Sequence, residues 1–262
     1  MRLSKALLAC RGMKAKLKRL DRQVIVVTAA TSGIGLSIAR TAAKKGARLV
    51  LGFQDDGELR QLRDEIRREG GDAIYVEADA ALEGDVRRIA EAALERFQGI
   101  DTWINTAGAA IHGAVLDMPL KDMKRAIDAN LWSAIHGSRI ACEYLAKRGG
   151  VLINVSSELA GQSALCLAAD EAVKIWSDAL RAELDGKHLP IAVSLISPAQ
   201  KSESVTADAI LFAASTPVRN MFVGAASKQR VLTGVATLGA GLAFRAWFRG
   251  KKVEPRYQRD PS

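Results

Sequence analysis

The stretch VIVVTAATSGIG, residues 24–35, decides the fold of this chain. Its first part, Val24–Thr28, is a run of mostly β-branched residues, which is typical of a strand buried on both faces of a parallel sheet. Gly33 and Gly35 follow, at the point where a helix is expected to begin. A strand, a glycine-containing turn and a helix N-terminus bring backbone N–H groups around a phosphate. The stretch therefore predicts a turn that can hold the pyrophosphate of a dinucleotide.

The same alternation of strand and helix continues along the chain. Further strands are predicted at Arg48–Leu51, Ala73–Glu77, Thr102–Asn105, Val151–Val155, Ile191–Ile196 and Met221–Val223, with helices between them. Alternation at this spacing implies right-handed β-α-β crossovers. The sequence therefore predicts an α/β fold, a Rossmann-like doubly wound parallel sheet in a single domain. The segment before the fifth strand, Leu120–Lys147, is predicted to be long and helical.

Positive charge in this chain is concentrated at both ends. The first 22 residues carry eight Lys or Arg and one Asp, and residues 228–262 carry eight Lys or Arg and two acidic residues. We therefore divide the chain into a basic N-terminal extension (1–22), the dinucleotide-binding-type domain (23–224) and a basic C-terminal helix and tail (225–262). Basic ends favour an anionic partner, either a membrane surface or a large complex, and no specific nucleic acid is predicted. Solubilising tails are the alternative.

Two further features of composition bear on location. The apolar run Val231–Phe248 is interrupted by Arg245, so it predicts a buried or interfacial helix rather than a membrane span. The three cysteines, Cys10, Cys142 and Cys166, are far apart, and only three histidines are present. This usage argues against a disulfide framework or a zinc site and favours a reducing compartment. We expect a cytoplasmic protein, peripheral at a membrane if its basic ends bind one.

Short motifs lie at the ends of the predicted strands. Residues 28–35 are TAATSGIG, Asp79 follows the third strand, residues 105–108 are NTAG, residues 154–157 are NVSS, and residues 177–184 are SDALRAEL. Together they resemble the short-chain dehydrogenase/reductase family over residues 23–224. The resemblance implies a nicotinamide cofactor, NAD or NADP, bound by Thr28, Ala29, Ser32, Gly33, Ile34, Gly35, Asp79, Asn105, Ala107 and Gly108. It also implies catalytic positions at Ser157 and Asn130, and a homo-oligomer built on the helices at 120–147 and 165–184.

The tyrosine and lysine that this family uses for catalysis, spaced YxxxK, find no match here. Counted back from Ser177, the two positions fall on Cys166 and Asp170; counted forward from Ser157, they fall on Asp170 and Lys174. We prefer the first count, which makes the loop before Cys166 about one helical turn short. A carboxylate raises the pKa of a neighbouring acid where a lysine would lower it. Cys166 and Asp170 are therefore expected to be inactive, the thiol simply buried.

Two other departures from the family's pattern concern the cofactor motif and the substrate lid. Ala29 replaces the first glycine of the family's motif, and the connection from Pro198 to the helix predicted at Val205–Ala214 is too short for the family's substrate lid. Phe53 and Gln54, which follow the second strand, offer neither the acidic residue that favours NAD nor the arginine that favours NADP. The choice between NAD and NADP stays open, and weak or absent binding is an alternative.

Two functions are compatible with these residues. The preferred hypothesis is a catalytically degenerate member, a pseudoenzyme, that keeps the fold and serves as a cofactor-sensing, scaffold or complex-associated subunit. The alternative is an active NAD(P)-dependent short-chain oxidoreductase with an unusual proton donor, which would be Ser157, Cys166 or a group of the substrate.

Overall fold

The computed structural model describes residues 17–106, 108, 113, 115–156, 163–198, 203–216, 218–226 and 229–233. The strands are β1 Val24–Thr28, β2 Arg48–Phe53, β3 Asp72–Glu77, β4 Thr102–Asn105, β5 Gly150–Val155, β6 Ile191–Pro198, β7 Asn220–Ala226 and β8 Gln229–Thr233. The helices are α1 Gly33–Lys44, α2 Asp56–Arg68, α3 Glu83–Phe97, α4 Leu120–Ile127, α5 Ser133–Arg148, α6 Ala164–Gly186 and α7 Glu203–Ser215. A single π-helical turn, Asp128–Trp132, joins α4 to α5.

All eight strands belong to one sheet, in the order β3-β2-β1-β4-β5-β6-β7-β8. The first seven strands are parallel to their neighbours, and β8 pairs antiparallel with β7. The order reverses between β1 and β4, where the chain crosses from one half of the sheet to the other. This arrangement confirms the predicted Rossmann-like, doubly wound α/β fold in a single domain. Ligands of such sheets bind beyond the carboxyl ends of the strands at this reversal point.

Helices cover both faces of the sheet and enclose two apolar layers. On one face, α1, α2 and α7 pack residues such as Ile38, Leu59 and Ile210 against the sheet. On the other face, α3 and α5 contribute Ile89 and Ile140 among others. Because successive side chains of a strand point to opposite faces, β1 supplies both layers and is buried at all five positions. The central strands are thereby fixed, and so is the edge formed by their carboxyl ends.

The segment predicted to be helical, Leu120–Lys147, is helical throughout, and the π-helical turn divides it into α4 and α5. Within this turn, the Asn130 Nδ2 atom donates a hydrogen bond to the Ala126 carbonyl oxygen at 2.8 Å. Directly after it, the Ser133 hydroxyl donates to the Ala129 carbonyl at 2.5 Å. Side chains that bond to carbonyls four residues back compete with the regular helical ladder and bend the helix. Asn130 therefore lies in the π-helical turn, where the bond to the Ala126 carbonyl holds its side chain.

The C-terminal part of the sheet also differs from prediction. The strand predicted at Met221–Val223 extends from Asn220 to Ala226, because β8 pairs with it over that length. The start of the run Val231–Phe248 belongs to strand β8 and not to a helix. Residues 234–262 and 1–16, which contain most of the basic ends, lie outside the described residues. Among the helices that are described, none is both long and apolar enough to cross a membrane.

Candidate functional site

The turn after β1 is the first part of the site. Thr28 ends the strand, and the Thr106 hydroxyl after β4 donates a hydrogen bond to its carbonyl oxygen. Ala29 has a φ of +51°, in the left-handed region that costs a residue with a side chain about 1–2 kcal/mol. A Cβ at Gly35 would overlap the Ala29 carbonyl oxygen, so only glycine fits there. The turn is therefore closely packed against β4 and keeps its shape despite the alanine.

The N-terminus of α1 is open to an anion. Ser32 is the N-cap residue, and its side chain makes no capping hydrogen bond. The first N–H groups of the helix, at Gly33, Ile34 and Gly35, are consequently not satisfied by that side chain, and the helix dipole places positive potential there. Gly33 has a φ of +51°, and a Cβ placed on it would meet one described atom within 4 Å, the Glu203 Oε1 at 3.8 Å. These residues fit a pyrophosphate, with a carboxylate close by.

A cavity of about 610 Å³ lies at the ends of β2 and β3. Gln54 and Asp79, which follow these strands, line the cavity together with Lys121, Lys124 and Arg125 of α4. The Asp79 Oδ1 atom accepts a hydrogen bond from the Ala81 backbone N–H at 2.9 Å, which holds the carboxylate in place. The cavity is large enough for part of a dinucleotide. Asp79 was predicted to contact the cofactor, whereas the three cations were not identified from the sequence.

Asn105 lies in a buried network below the edge of the sheet. Its Nδ2 donates to the Asn154 Oδ1 at 2.8 Å, and its Oδ1 accepts from the Trp103 indole N–H at 2.7 Å. The Asn154 Nδ2 in turn donates to the Ser177 hydroxyl of α6 at 2.9 Å. Asn105 is only 3% exposed, and both Asn154 and Ser177 are fully buried. Asn105 thus ties β4 to β5 and α6 and fixes the carboxyl edge of the sheet. These hydrogen bonds do not test its predicted contact with the cofactor.

Asn130 and Gly108 meet at the same edge. A Cβ at Gly108 would come within 2.9 Å of the Asn130 Oδ1 atom, so the glycine allows the asparagine to approach this loop. The structure therefore brings Asn130 close to Gly108, two residues beyond Thr106, whose hydroxyl bonds to Thr28 at the turn after β1. Two other predicted site residues, Ala107 and Ser157, lie outside the described residues.

The start of α6 contains the two residues assigned to the family's tyrosine and lysine positions. Cys166 is 1% exposed and Asp170 is 6% exposed, and both lie on the core-facing side of α6 that also carries Ser177. Ser163 is the N-cap residue of α6, and its hydroxyl oxygen lies 3.4 Å from both the amide nitrogen and the sulfur of Cys166. Lys174, the alternative lysine position, forms an ion pair with Glu171 at 2.6 Å. The bond between Ser177 and Asn154 fixes the rotation of this helix relative to β5.

No metal-binding cluster of His, Cys, Asp and Glu occurs among the described residues. The described thiol outside the site, Cys142 on α5, is half-buried, and burial raises its pKa to about 12. A thiol that stays protonated is a poor nucleophile and a poor metal ligand. Among the described residues, the polar groups at the carboxyl edge of the sheet are backbone N–H groups, amides, carboxylates and the three cations of α4.

Comparison with known proteins agrees with this geometry. The model of the short chain dehydrogenase family matches residues 23–208. The uncharacterized oxidoreductase YxnA of Bacillus subtilis is 37% identical over 257 residues, which cover 87% of this chain and 71% of YxnA. The chain therefore belongs to the short-chain dehydrogenase family, whose members use NAD(P).

Two further similarities are informative. L-rhamnose 1-dehydrogenase (NAD(P)(+)) of Azotobacter vinelandii is 36% identical over 141 residues, which cover 52% of this chain and 55% of that enzyme. The crystal structure of a short chain dehydrogenase from Mycobacterium smegmatis superimposes with a TM-score of 0.72 at 23% identity. That superposition covers 83% of this chain and 99% of the other, and it supports the fold.

Proposed function

We propose that this chain is an NAD(P)-dependent oxidoreductase that binds its cofactor across the carboxyl edge of the sheet. The observation that carries the proposal is the N-terminus of α1, uncapped by Ser32 and preceded by the tightly packed turn at Ala29. When bound, the nicotinamide ring would supply the hydride acceptor or donor. Family membership and the oxidoreductase names of the relatives support this function over a purely structural one.

The residues of the edge divide into two roles. Gly33, Ile34 and Gly35 would bind the pyrophosphate through their backbone N–H groups, while Asp79 would contact the adenosine half in the cavity at the ends of β2 and β3. Asn105 acts as a positioning residue, because its amide is already bonded to Asn154 and Trp103.

The proton step needs a donor other than tyrosine under either count of the motif. In the preferred first count, Cys166 replaces the tyrosine. A thiol that is 1% exposed is poorly placed to give its proton to a substrate in the cleft. Ser157, one residue beyond the buried Ser156, is therefore the proposed donor. Ser157→Ala is expected to lower turnover by about 10²-fold or more, and Cys166→Ala to change it little.

A second candidate is a member that binds the cofactor without turnover. The observation in its favour is the carboxyl group of Asp170, 6% exposed, at the position assigned to the lysine. The absence of a lysine there removes the group that lowers the pKa of the proton donor. This candidate keeps the cofactor site and predicts a sensor or a subunit of a complex.

One experiment with two stages separates these candidates. The purified chain is titrated with NADH and NADPH, followed by fluorescence, and is then assayed on a panel of carbonyls and alcohols. Binding with steady turnover supports the oxidoreductase; binding without turnover supports the second candidate; no binding at millimolar cofactor contradicts both. Gly33→Asp places a carboxylate at the pyrophosphate position and is expected to abolish binding. Gly84→Asp is the matched control, because no described atom lies within 4 Å of a Cβ at Gly84.

A further inference from the structure

The amino edge of the sheet, where the parallel strands begin, carries an excess of positive charge. Five cations there form no ion pair with any described residue: Arg22, Lys44, Arg48, Lys147 and Arg148. Arg22 precedes β1, Lys44 ends α1, Arg48 begins β2, and Lys147 and Arg148 end α5 just before β5. Arg48 is half-buried and the other four are exposed. We call these five residues the basic edge.

Contacts between neighbouring segments bring the arginines of the basic edge onto one surface. The Arg48 Nη2 atom donates a hydrogen bond to the Arg22 carbonyl oxygen at 3.3 Å, and the Arg48 guanidinium lies 5.7 Å from the centre of the Phe97 ring. The Arg148 Nη1 atom donates to the carbonyl oxygen of Gln98, the residue after Phe97, at 2.7 Å. The basic edge is therefore a continuous surface and not a set of scattered cations.

The carboxylates that flank the basic edge are bound to other cations. The pairs are Asp21 with Arg19, Glu65 with Arg40, Asp72 with Arg96, Asp101 with Lys18, Glu143 with Arg87 and Asp208 with Lys45. Before β3, Glu69 stands beside Arg67 and Arg68. Each flanking carboxylate is thus matched by a cation outside the basic edge, so the positive charge of the basic edge is in excess.

The basic residues 1–16 join the described chain at the same edge. The Gln23 Nε2 atom donates to the Lys18 carbonyl at 2.8 Å and to the Ala214 carbonyl at 3.1 Å, and the Lys18 side chain lies 2.6 Å from the Asp101 carboxylate before β4. Residues 1–16 carry five Lys or Arg and no acidic residue, whereas residues 17–233 carry 27 of each sign. Positive charge outside the balanced part of the chain therefore begins at the basic edge.

The choice of partner depends on what accompanies the charge. Cations at helix C-termini complement the helix dipole, which accounts for Lys44, Lys147 and Arg148 but not for residues 1–16. Among the cations of residues 1–16 lie apolar side chains, including Leu3, Leu7 and Leu8. A stretch that mixes basic and apolar residues without acidic ones suits the interface of an anionic bilayer, where both kinds of side chain find a partner. The phosphates of a nucleic acid would satisfy the cations alone.

We propose that the basic edge, together with residues 1–16, docks this protein on the surface of an anionic phospholipid membrane. The carboxyl edge lies at the opposite ends of the same strands, so docking leaves the candidate site facing water. The proposal does not depend on the proposed function, because none of the five cations belongs to the candidate site.

The test measures binding of the full chain to vesicles by co-sedimentation. Vesicles of phosphatidylglycerol and phosphatidylcholine in equal parts are compared with vesicles of phosphatidylcholine alone, and a DNA duplex of mixed sequence is titrated by fluorescence anisotropy. Binding to the acidic vesicles is expected, none to the neutral ones, and it should weaken as salt is raised.

Two variants of equal charge locate the docking surface. Lys44→Gln/Lys147→Gln should weaken binding to acidic vesicles by about 10- to 30-fold, because each cation near such a surface contributes about fivefold. Lys121→Gln/Lys124→Gln removes the same charge from α4 at the other edge and should bind like the wild type. Melting curves show whether the variants are folded. If the first is not, Lys14→Gln/Lys16→Gln replaces it with the same expectation.

Three outcomes would overturn the proposal. The first is no binding to the acidic vesicles. The second is an equal effect of the two double variants, since net charge and not the basic edge would then govern binding. The third is tighter binding to the DNA duplex than to the acidic vesicles, which would indicate a nucleic-acid partner.

Discussion

Glu203→Gln is expected to strengthen binding of any ligand that places a pyrophosphate at the N-terminus of α1. The Glu203 Oε1 atom lies 3.8 Å from the position of a Cβ on Gly33, so its charge is close to the proposed pyrophosphate position. Two unit charges about 4 Å apart repel by about 1 kcal/mol in bulk water and about 4 kcal/mol at an effective dielectric constant of about 20. Because Glu203 is exposed, water weakens the repulsion, and we expect the lower value. A change of about 1 kcal/mol corresponds to about fivefold tighter binding.

The assay is calorimetric titration with ADP-ribose, which contains the pyrophosphate, and with adenosine, which does not. The variant should bind ADP-ribose about fivefold more tightly, adenosine should be unaffected, and the gain should shrink at high salt because exposed charges are screened. Glu91→Gln removes an exposed carboxylate from α3, away from the turn, and serves as the control. An affinity for ADP-ribose equal to that of the wild type or of the control would refute the reasoning.

Three further predictions concern stability and reactivity. Asn154→Ala breaks a fully buried network, and its loss should cost about 3 kcal/mol and lower the melting temperature by about 6–12 °C; a shift under 2 °C would contradict it. Ala29→Gly relieves a positive φ and should leave the melting temperature unchanged or raised, whereas Ala42→Gly inside α1 should lower it by several degrees. Burial raises the pKa of the Cys142 thiol in the folded chain to about 12 from an ordinary value of 9.0, so its contribution to stability is complete below pH 9 and falls as pH rises toward 12. Mass spectrometry of the Cys142 peptide should show slow alkylation at pH 8 in the native chain and fast alkylation in urea.

Much of the fold could be predicted from local patterns, because apolar runs of strand length are separated by charged helices. β4 Thr102–Asn105 and α3 Glu83–Phe97 have the predicted ends. β7 is longer than predicted, since Gly224 and Ala225 have low strand propensity and are ordered by pairing with β8. The π-helical turn within the central helix could not be predicted, for a related reason. Asn130 and Ser133 have moderate helix propensity, and nothing in the sequence shows that their side chains bond to carbonyls of the preceding turn.

The candidate site was predicted in part. The turn after β1 and Asp79 carry local motifs, and the structure places them at one edge of the sheet. The spacing of Lys121, Lys124 and Arg125 already places them on one face of a helix, but which residues that face meets depends on packing between distant segments. Glu203 gives no signal in the sequence at all. Its position results from the way α7 packs on α1, which brings the start of α7 to the glycine turn.

The π-helical turn at Asp128–Trp132 also sets the phase of everything that follows it. A π turn accommodates an additional residue within the helix. If the same residues formed a regular α-helix without the π turn, α5 would rotate by about 100° relative to α4, with a shift of about 1.5 Å along the axis. Gly137, whose missing side chain makes room for the Asn105 amide, would then turn away from β4 and a larger residue would face that amide. A change that removes the π turn while keeping the number of residues would therefore be more damaging than most single substitutions.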